Sequence, residues 1–330
     1  MFLEVSYMEI LESGTGELFH PPDPDGFREW VHKHKNTRLV SKIMLEQEAI
    51  ARFVQDGDYI GTELYGTVRA PMSLIRELIR QGKKHLKVAG QGVHELDLLL
   101  AADLVDCLDI TYIGWELYGI SSILRRAVES GRVKTAEWSN AAISWRFKAA
   151  AMGVSFIPVR SMLGTDTFKY SAAKIAKDPW TGKPVCLLPA LYLDVGLIHV
   201  HQADEYGNCR IEGISGFAVE LARASKKLII SAEEIISNEE IRRYPERTII
   251  PYYLVDAVVP AKYGSHPGEM CYRYWRDEEH LLQFYRDSAD PEKTRAYLNR
   301  WVYGCSSHDE YIKLVGIERL KKLEMEIGGR

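Results

Sequence analysis

The chain has 330 residues, of which 46% are hydrophobic and 27% charged, and its formal net charge is −4. This length and composition suffice for one large or two medium hydrophobic cores. Lys and Arg are spread along the chain and matched by acidic residues, so we expect no nucleic-acid partner. No apolar run reaches the ~20 residues that a membrane-spanning helix requires, so no membrane contact is predicted.

The five cysteines are far apart and form no CxxC pair, which is typical of a reduced compartment. The first twenty residues contain no cationic start and no small-residue cleavage site. They therefore do not resemble a signal peptide, and we expect a cytoplasmic protein.

Residues 1–41 contain a proline-rich turn and a short charged amphipathic segment, and we predict that they form an N-terminal extension. Residues 42–330 are predicted to form one domain, which begins with a helix over 42–55. Strands are then predicted at 58–61, 86–90, 108–113, 133–137, 154–159, 194–201, 227–232 and 253–259. Helices are predicted between them at 71–81, 94–104, 121–130, 140–152, 216–225 and 237–243.

Several of the predicted strands are nearly continuous apolar runs, as in parallel sheets that are covered on both faces. Together with the alternation of strands and helices, they predict an α/β fold. We expect an open, mostly parallel sheet with helices on both faces. A helical C-terminal tail follows, with helices at 278–287, 291–302 and 308–323.

Two glycine-bearing loops follow predicted strands and precede predicted helices. Gly61 and Gly66 bracket the first loop, and Gly90 and Gly92 flank Gln91 in the second. Glycine lets the backbone approach a ligand closely, and ligands of open α/β sheets bind at this kind of loop. A dinucleotide is disfavoured, because position 95 is Glu where a third glycine is needed. Backbone N–H groups there could instead hold a thioester oxygen or a substrate carboxylate.

Charged residues near the strand ends are candidates for binding or catalysis. Glu137 ends a predicted strand beside an aromatic residue, which favours acid/base chemistry, but the N–H groups of the next helix could equally stabilise it. Glu63 and Glu116 lie in similar strand-end loops. Arg69 could pair with an anionic substrate group or form a surface ion pair.

His199 and His201 share one face of an apolar strand, which would permit two metal ligands. No nearby residues complete a convincing ligand set, so packing at a strand end or subunit contact is favoured. We predict no metal site.

Many sequence blocks, in the same order, resemble one known family. They include EAIARFVQDGDYI, the helix from Arg69 to Gly82, SGRVKTAEWSN, RFKAAAMGVSFIPVRSMLGTDTFKYS, IHVHQADEYGNCRIEG, EEIISNEEIRR, YLVDAVVPAKYGSHP and HDEYIKLVG. Over about residues 42–320, the chain resembles the A (alpha) subunit of family I CoA-transferases, closest to the glutaconate CoA-transferase type.

The resemblance implies an enzyme that moves CoA between an acyl-CoA and a carboxylic acid. In this family, the thioester is attacked by a glutamate of a partner, the B (beta) subunit. The A subunit is expected to supply one wall of the cleft and backbone donors, and to be inactive alone. The resemblance also implies an (αβ)2 assembly and no bound cofactor, since CoA is a substrate. Arg69, Gly61, Gly66, Gly90, Gly92 and Glu116 are the predicted substrate-binding residues.

The chain departs from the glutaconate type in its first loop, where Glu63-Leu64 replaces a Gly-Gly pair. This departure leaves the substrate and the role of the loop open. CoA-dependent ring-opening hydrolases of steroid degradation share the same layout, and the glutamate thought to act in them falls on Glu137. A hydrolase subunit using Glu137 is therefore the alternative prediction.

Overall fold

The computed structural model describes residues 8–112, 114–115 and 118–328. Its strands are β1 (Ile10–Ser13), β2 (Tyr59–Gly66), β3 (Leu86–Gly92), β4 (Val105–Ile110), β5 (Lys134–Glu137), β6 (Phe156–Val159), β7 (Lys174–Lys177), β8 (Pro184–Pro189), β9 (Leu193–Ala203), β10 (Cys209–Arg210), β11 (Ser225–Ile235) and β12 (Ala257–Pro260).

The helices up to the last strand are α1 (Pro24–His34), α2 (Glu46–Phe53), α3 (Met72–Arg80), α4 (His94–Ala101), α5 (Ser122–Glu129), α6 (Asn140–Ala151), α7 (Asp166–Lys169), α8 (Ala218–Ala224) and α9 (Asn238–Arg243). The C-terminal tail contains α10 (Glu278–Asp287), α11 (Pro291–Leu298), α12 (His308–Val315) and α13 (Ile317–Gly328). None of the described helices is long and apolar enough to cross a bilayer.

Seven strands form the main sheet in the order β12-β11-β9-β2-β3-β4-β5, and every neighbouring pair is parallel. The short β10 pairs antiparallel with the end of β9. The predicted α/β fold with an open, mostly parallel sheet is therefore confirmed.

Hydrophobic cores cover both faces of the main sheet. One core contains residues of α6 and α8, such as Phe147 and Leu221, and the other contains residues of α2 to α5 and of the tail. Strand residues contribute to the two cores alternately: Ile229 belongs to one and Ile230 to the other. This alternation follows from the two-residue repeat of a strand, and it explains why the strands read as continuous apolar runs.

A second, antiparallel sheet was not predicted. It has four strands in the order β1-β7-β8-β6, and β1 comes from within the first 41 residues. The predicted strand at 154–159 corresponds to β6 and belongs to this sheet. β7 has the sequence KIAK, and so short and polar a run carries little hydrophobic pattern.

Several predicted boundaries are wrong for local reasons. The helix predicted over 42–55 begins only at Glu46, because the backbone at Ile43 bridges to Val258 beside β12. The strand predicted at 253–259 begins at Ala257, after a 3-10 turn over Tyr252–Leu254. The last predicted helix is two helices, separated at Gly316, where φ is +94°.

The tail packs on α3 and α4, and four buried histidines lie at this contact: His94, His266, His280 and His308. We call them the histidine cluster. Arg76 lies at its centre, with Nη1 donating to the His266 carbonyl at 3.0 Å and Nη2 lying 3.2 Å from His308 Nδ1. Tyrosine hydroxyl groups complete the contacts, at 2.7 Å from both His266 Nδ1 and His280 Nε2.

Candidate functional site

The strand order reverses direction between β2 and β9. From β2 the chain continues through β3, β4 and β5 on one side, and β9 leads to β11 and β12 on the other. At such a switch point the following connections diverge, and a crevice opens at the carboxyl ends of the two strands. The candidate site is therefore expected at the carboxyl edge of the main sheet.

A bulge in β2 turns Glu63 inward at this edge. Gly61 pairs with Ala89 and Tyr65 with Gln91, so β2 has two more residues than β3 in this interval. Such irregularities re-aim side chains near functional sites. The Glu63 side chain is 1% exposed and points into the interior. The acidic residue that replaces a family glycine therefore does not occupy the crevice with its carboxylate.

Arg69 forms a buried ion pair with Glu63. Its Nη2 lies 2.6 Å from Glu63 Oε2, its Nη1 donates to the His199 carbonyl at 2.9 Å, and the side chain is fully buried. Burial raises the pKa of Glu63 to about 7, although the Arg69 charge opposes the rise. The predicted surface ion pair is therefore wrong, because the pair lies inside. The predicted role of Arg69 in substrate binding stays a prediction.

The two histidines of β9 are buried and hydrogen-bonded. His199 lies 2.8 Å from both Ser231 Oγ and Glu233 Oε1, while His201 Nε2 lies 2.8 Å from the Cys271 carbonyl. Burial lowers the pKa of His201 to about 4. These contacts agree with packing at a strand end, and the alternative of a subunit contact stays a prediction.

A small cavity of about 230 Å³, here called the loop cavity, lies beside the first glycine loop. Its walls include Gly66, Thr67 and Val68 on one side and Trp115 and Leu281 on the other. Thr67 Oγ1 donates to Glu269 Oε2 at 2.7 Å, so this hydroxyl group of the cavity wall already has an acceptor within the chain.

The four predicted glycines differ in their surroundings. Gly66 has φ +68° and open space where a Cβ would lie. At Gly61, Gly90 and Gly92 the side chains of Leu193, Thr62 and Glu95, respectively, occupy that space. These three glycines therefore make room for side chains of the same chain, and their contact with a substrate stays a prediction.

Glu137 is half-buried at the end of β5 and borders a cleft of about 680 Å³, the Glu137 cleft. Trp138 fixes the chain beside it, since its Nε1 donates to Asp109 Oδ1 at 2.5 Å. Ser139 caps α6 by accepting from the Ala142 N–H at 3.1 Å. The carboxylate of Glu137 is thus placed at the carboxyl edge, where a ligand can reach it.

Glu95 is a buried carboxylic acid that the sequence analysis did not propose for the site. It is 1% exposed and lies against Gly92, and its Oε2 has no hydrogen-bond partner within the described part of the chain. Burial raises the pKa of Glu95 to about 8, so the side chain is largely protonated at neutral pH. The sequence signal was the absence of a third loop glycine, because Glu95 stands at that position.

One predicted site residue and one candidate metal group remain. Glu116 lies outside the described residues. Among those that are described, His266, Asp277 and His280 have ligand atoms within 4.8 Å of one another. However, Arg319 donates to both oxygens of Asp277, and a guanidinium on that carboxylate disfavours a cation. We therefore assign no metal to this group.

The chain belongs to the coenzyme A transferase family, whose model matches residues 43–261. This membership agrees with a parallel sheet whose switch point carries the candidate site.

Within the family, the chain is similar to the A subunit of glutaconate CoA-transferase from Acidaminococcus fermentans, with 33% identity covering 88% of this chain and 96% of that subunit. The crystal structure of that enzyme matches this chain with a TM-score of 0.83 at 32% identity, covering 86% of this chain and 96% of the other. An uncharacterised protein of Archaeoglobus fulgidus is 48% identical over 97% of this chain and 73% of its own length.

The IpdA subunit of the cholesterol ring-cleaving hydrolase from Rhodococcus jostii is more distant, at 26% identity over 78% of this chain and 90% of that subunit. The predicted resemblance to CoA-transferase A subunits is therefore confirmed, and the transferase prediction is favoured over the hydrolase.

Proposed function

We propose that this chain is the A subunit of a heteromeric CoA-transferase that moves CoA between an acyl-CoA and a carboxylic acid. The similarity to the A subunit of glutaconate CoA-transferase, over nearly the whole length of that subunit, carries the proposal. We propose a cytoplasmic (αβ)2 assembly in which the A and B subunits meet across the crevice.

The nucleophile is a glutamate of the B subunit. Its carboxylate attacks the thioester carbonyl and expels CoA thiolate, which leaves an acyl-glutamyl anhydride. The thiolate then attacks the glutamyl carbonyl, so that the first acid leaves and a glutamyl-CoA thioester remains. A second carboxylate repeats the two steps in reverse and departs as the new acyl-CoA.

The described carboxylates at the switch point support a nucleophile from another chain. Glu63 is buried in an ion pair with Arg69, and Glu95 is buried behind Gly92. Neither presents an oxygen to a thioester. No resident cofactor is needed, because CoA is itself a substrate.

The test is co-expression with the B chain encoded by the adjacent gene, followed by incubation with a panel of acyl-CoAs and reduction with borohydride. Mass spectrometry is expected to find a reduced glutamate on the B chain, because borohydride converts a glutamyl-CoA thioester to an alcohol. Exchange of CoA between acyl-CoA and free acid should accompany it. An unmodified B chain and no exchange with any substrate would refute the transferase proposal.

The second candidate is a CoA-thioester ring-opening hydrolase that uses Glu137. The observation that favours it is the position of Glu137 at the wall of the Glu137 cleft. In this case Glu137→Gln in the complex abolishes hydrolysis while the circular dichroism spectrum stays unchanged. Full activity of that variant would exclude catalysis by Glu137. The matched control is Glu129→Gln, which changes an exposed carboxylate of the same cleft.

A further inference from the structure

The segment 64–68 runs from the bulged part of β2 into the turn that precedes α3, and the Glu63–Arg69 ion pair joins the two residues that flank it. Gly66, Thr67 and Val68 of this segment line the loop cavity. The ion pair therefore closes a short loop whose backbone forms one wall of the candidate site.

The Arg69 guanidinium also ties this loop to the other half of the sheet. Besides Glu63 of β2, it contacts the carbonyl of His199 in β9 at 2.9 Å and the carbonyl of Ser215, which precedes α8, at 3.5 Å. One side chain thus joins β2 to β9, the two strands between which the chain changes direction.

The backbone around Arg69 is held in an unusual conformation. Its φ is +51°, a left-handed value that costs energy for a residue with a Cβ. Its N–H donates to the Glu269 carbonyl at 2.9 Å, and Gly268 lies so close to the Thr67 carbonyl that a Cβ there would be 2.0 Å from the oxygen. The segment is therefore clamped from the side of residues 268–269 as well.

Stability alone is a poor explanation for this pair. Removing two charges from water carries a large desolvation cost, and buried ion pairs can often be replaced by apolar residues without loss of stability. Two polar atoms of the pair, Glu63 Oε1 and Arg69 Nε, also lack hydrogen-bond partners among the residues that the structure describes. What the pair does provide is a fixed geometry at the two ends of the segment.

We propose that Glu63 and Arg69 are positioning residues: their ion pair fixes segment 64–68 in the shape that the reaction of the acyl-CoA requires. The inference rests on the proposed transferase function for its kinetic part, and on the structure of this chain alone for its conformational part.

The experiment uses the complex with the B chain and compares Arg69→Lys, Glu63→Gln and the double variant Glu63→Leu/Arg69→Met. The double variant removes both charges together and leaves no unpaired buried ion, and its circular dichroism spectrum is compared with that of the wild type to check the fold. Hydrogen exchange of the amides of 64–68 is measured beside kcat and KM for CoA exchange. In all three variants we expect faster exchange at 64–68 and a kcat lower by about tenfold to a hundredfold, with KM changed far less.

Lys35→Met is the control, because Lys35 forms a largely buried ion pair with Asp256, with 2.7 Å between Nζ and Oδ2. Asp256 also accepts from the Leu228 N–H near the start of β11. This pair therefore lies at the amino ends of the strands, opposite the carboxyl edge that carries the candidate site. This substitution should lower thermal stability without changing kcat or the hydrogen exchange of the amides of 64–68.

The proposal would be overturned if the double variant showed the same hydrogen exchange at 64–68 and the same kcat as the wild type. The pair would then contribute to stability alone. If the wild-type complex transfers no CoA, the proposed function fails, and the hydrogen-exchange comparison still decides whether the pair positions the segment.

Discussion

Three carboxylic acids near the carboxyl edge of the main sheet are withdrawn from water, and each has different neighbours. Glu63 contacts Arg69, while Asp97 accepts from Trp115 Nε1 at 2.9 Å and from the Ser121 hydroxyl. Among the described residues, Glu95 has no cationic neighbour that would offset its burial. Burial raises the pKa of Asp97 to about 6 and that of Glu95 to about 8. A neutral Glu95 avoids placing a second negative charge beside Asp97.

The raised pKa of Glu95 predicts a pH dependence of folding. Between its ordinary pKa of 4.5 and about 8, the folded chain keeps a proton that the unfolded chain releases. Stability from this group is therefore full at low pH and declines as the pH rises through this window. Glu95→Gln cannot titrate, so its urea midpoint relative to that of the wild type should rise from pH 5 to pH 8.

Glu246→Gln, which changes an exposed carboxylate, should show no such trend. A constant difference between Glu95→Gln and the wild type over this pH range would mean that Glu95 is already ionised in the folded chain.

Among the elements, the C-terminal tail packs through the histidine cluster, whose four imidazoles must stay uncharged. Burial lowers the pKa of His94 and of His308 to about 3, and those of His266 and His280 are also lowered. Arg76 adds a positive charge at the centre, whereas Asp277 acts in the opposite direction on His266 and His280. Protonation of His94, His266 or His308 would place a second cation near the Arg76 guanidinium.

The histidine cluster predicts acid-induced release of the tail. A histidine with a lowered folded pKa contributes stability that is present above its ordinary value of 6.5 and is lost as the pH falls below it. The protection factors of the amides in α10, α11 and α12, which correct for the slower intrinsic exchange at low pH, should therefore fall between pH 6.5 and pH 4, before the main sheet opens. His94→Phe removes one titrating group from an aromatic environment and should lower the pH of release. Equal acid midpoints for this variant and the wild type would contradict the explanation.

The sequence predicted the elements whose hydrophobic pattern is long, and this has a physical reason. β9 and β11 have eleven residues each and are covered on both faces, so their apolar runs are unmistakable. β7 has four residues and is stabilised by its neighbours in the antiparallel sheet, which no local pattern reveals.

The site was predicted only in part for a related reason. The carboxyl edge and the position of Glu137 follow from the order of strands and loops. The Glu63–Arg69 pair depends on a bulge that turns Glu63 inward, and on β9, which the chain reaches more than a hundred residues later. Burial of that kind cannot be inferred from neighbouring residues.

For the whole molecule, the main sheet joins the two hydrophobic cores. Adjacent residues of one strand, Ile229 and Ile230, belong to different cores, so neither core can lose its packing without disturbing the strand that supports the other. A molecule of this length can unfold in steps, but a shared sheet favours a common transition.

We predict one calorimetric transition for the main sheet at neutral pH. Ile229→Ala and Ile230→Ala should each cost about 2–5 kcal/mol, because both side chains are fully buried, and both should shift the same peak. Two peaks, each displaced by only one of the two variants, would show that the cores unfold independently.

The position of β9 beside β2 also has a consequence for synthesis on the ribosome. β2 to β5 emerge first and form one half of the main sheet, while the strand that covers the free side of β2 is completed only at Ala203. Until then, the unpaired N–H and C=O groups along this side of β2 are open to pairing with another nascent chain, which favours aggregation. Pairings between strands so distant in sequence also form slowly. The yield of folded protein should therefore depend on how fast residues 140–203 are translated, and on chaperones that shield β2 during that interval.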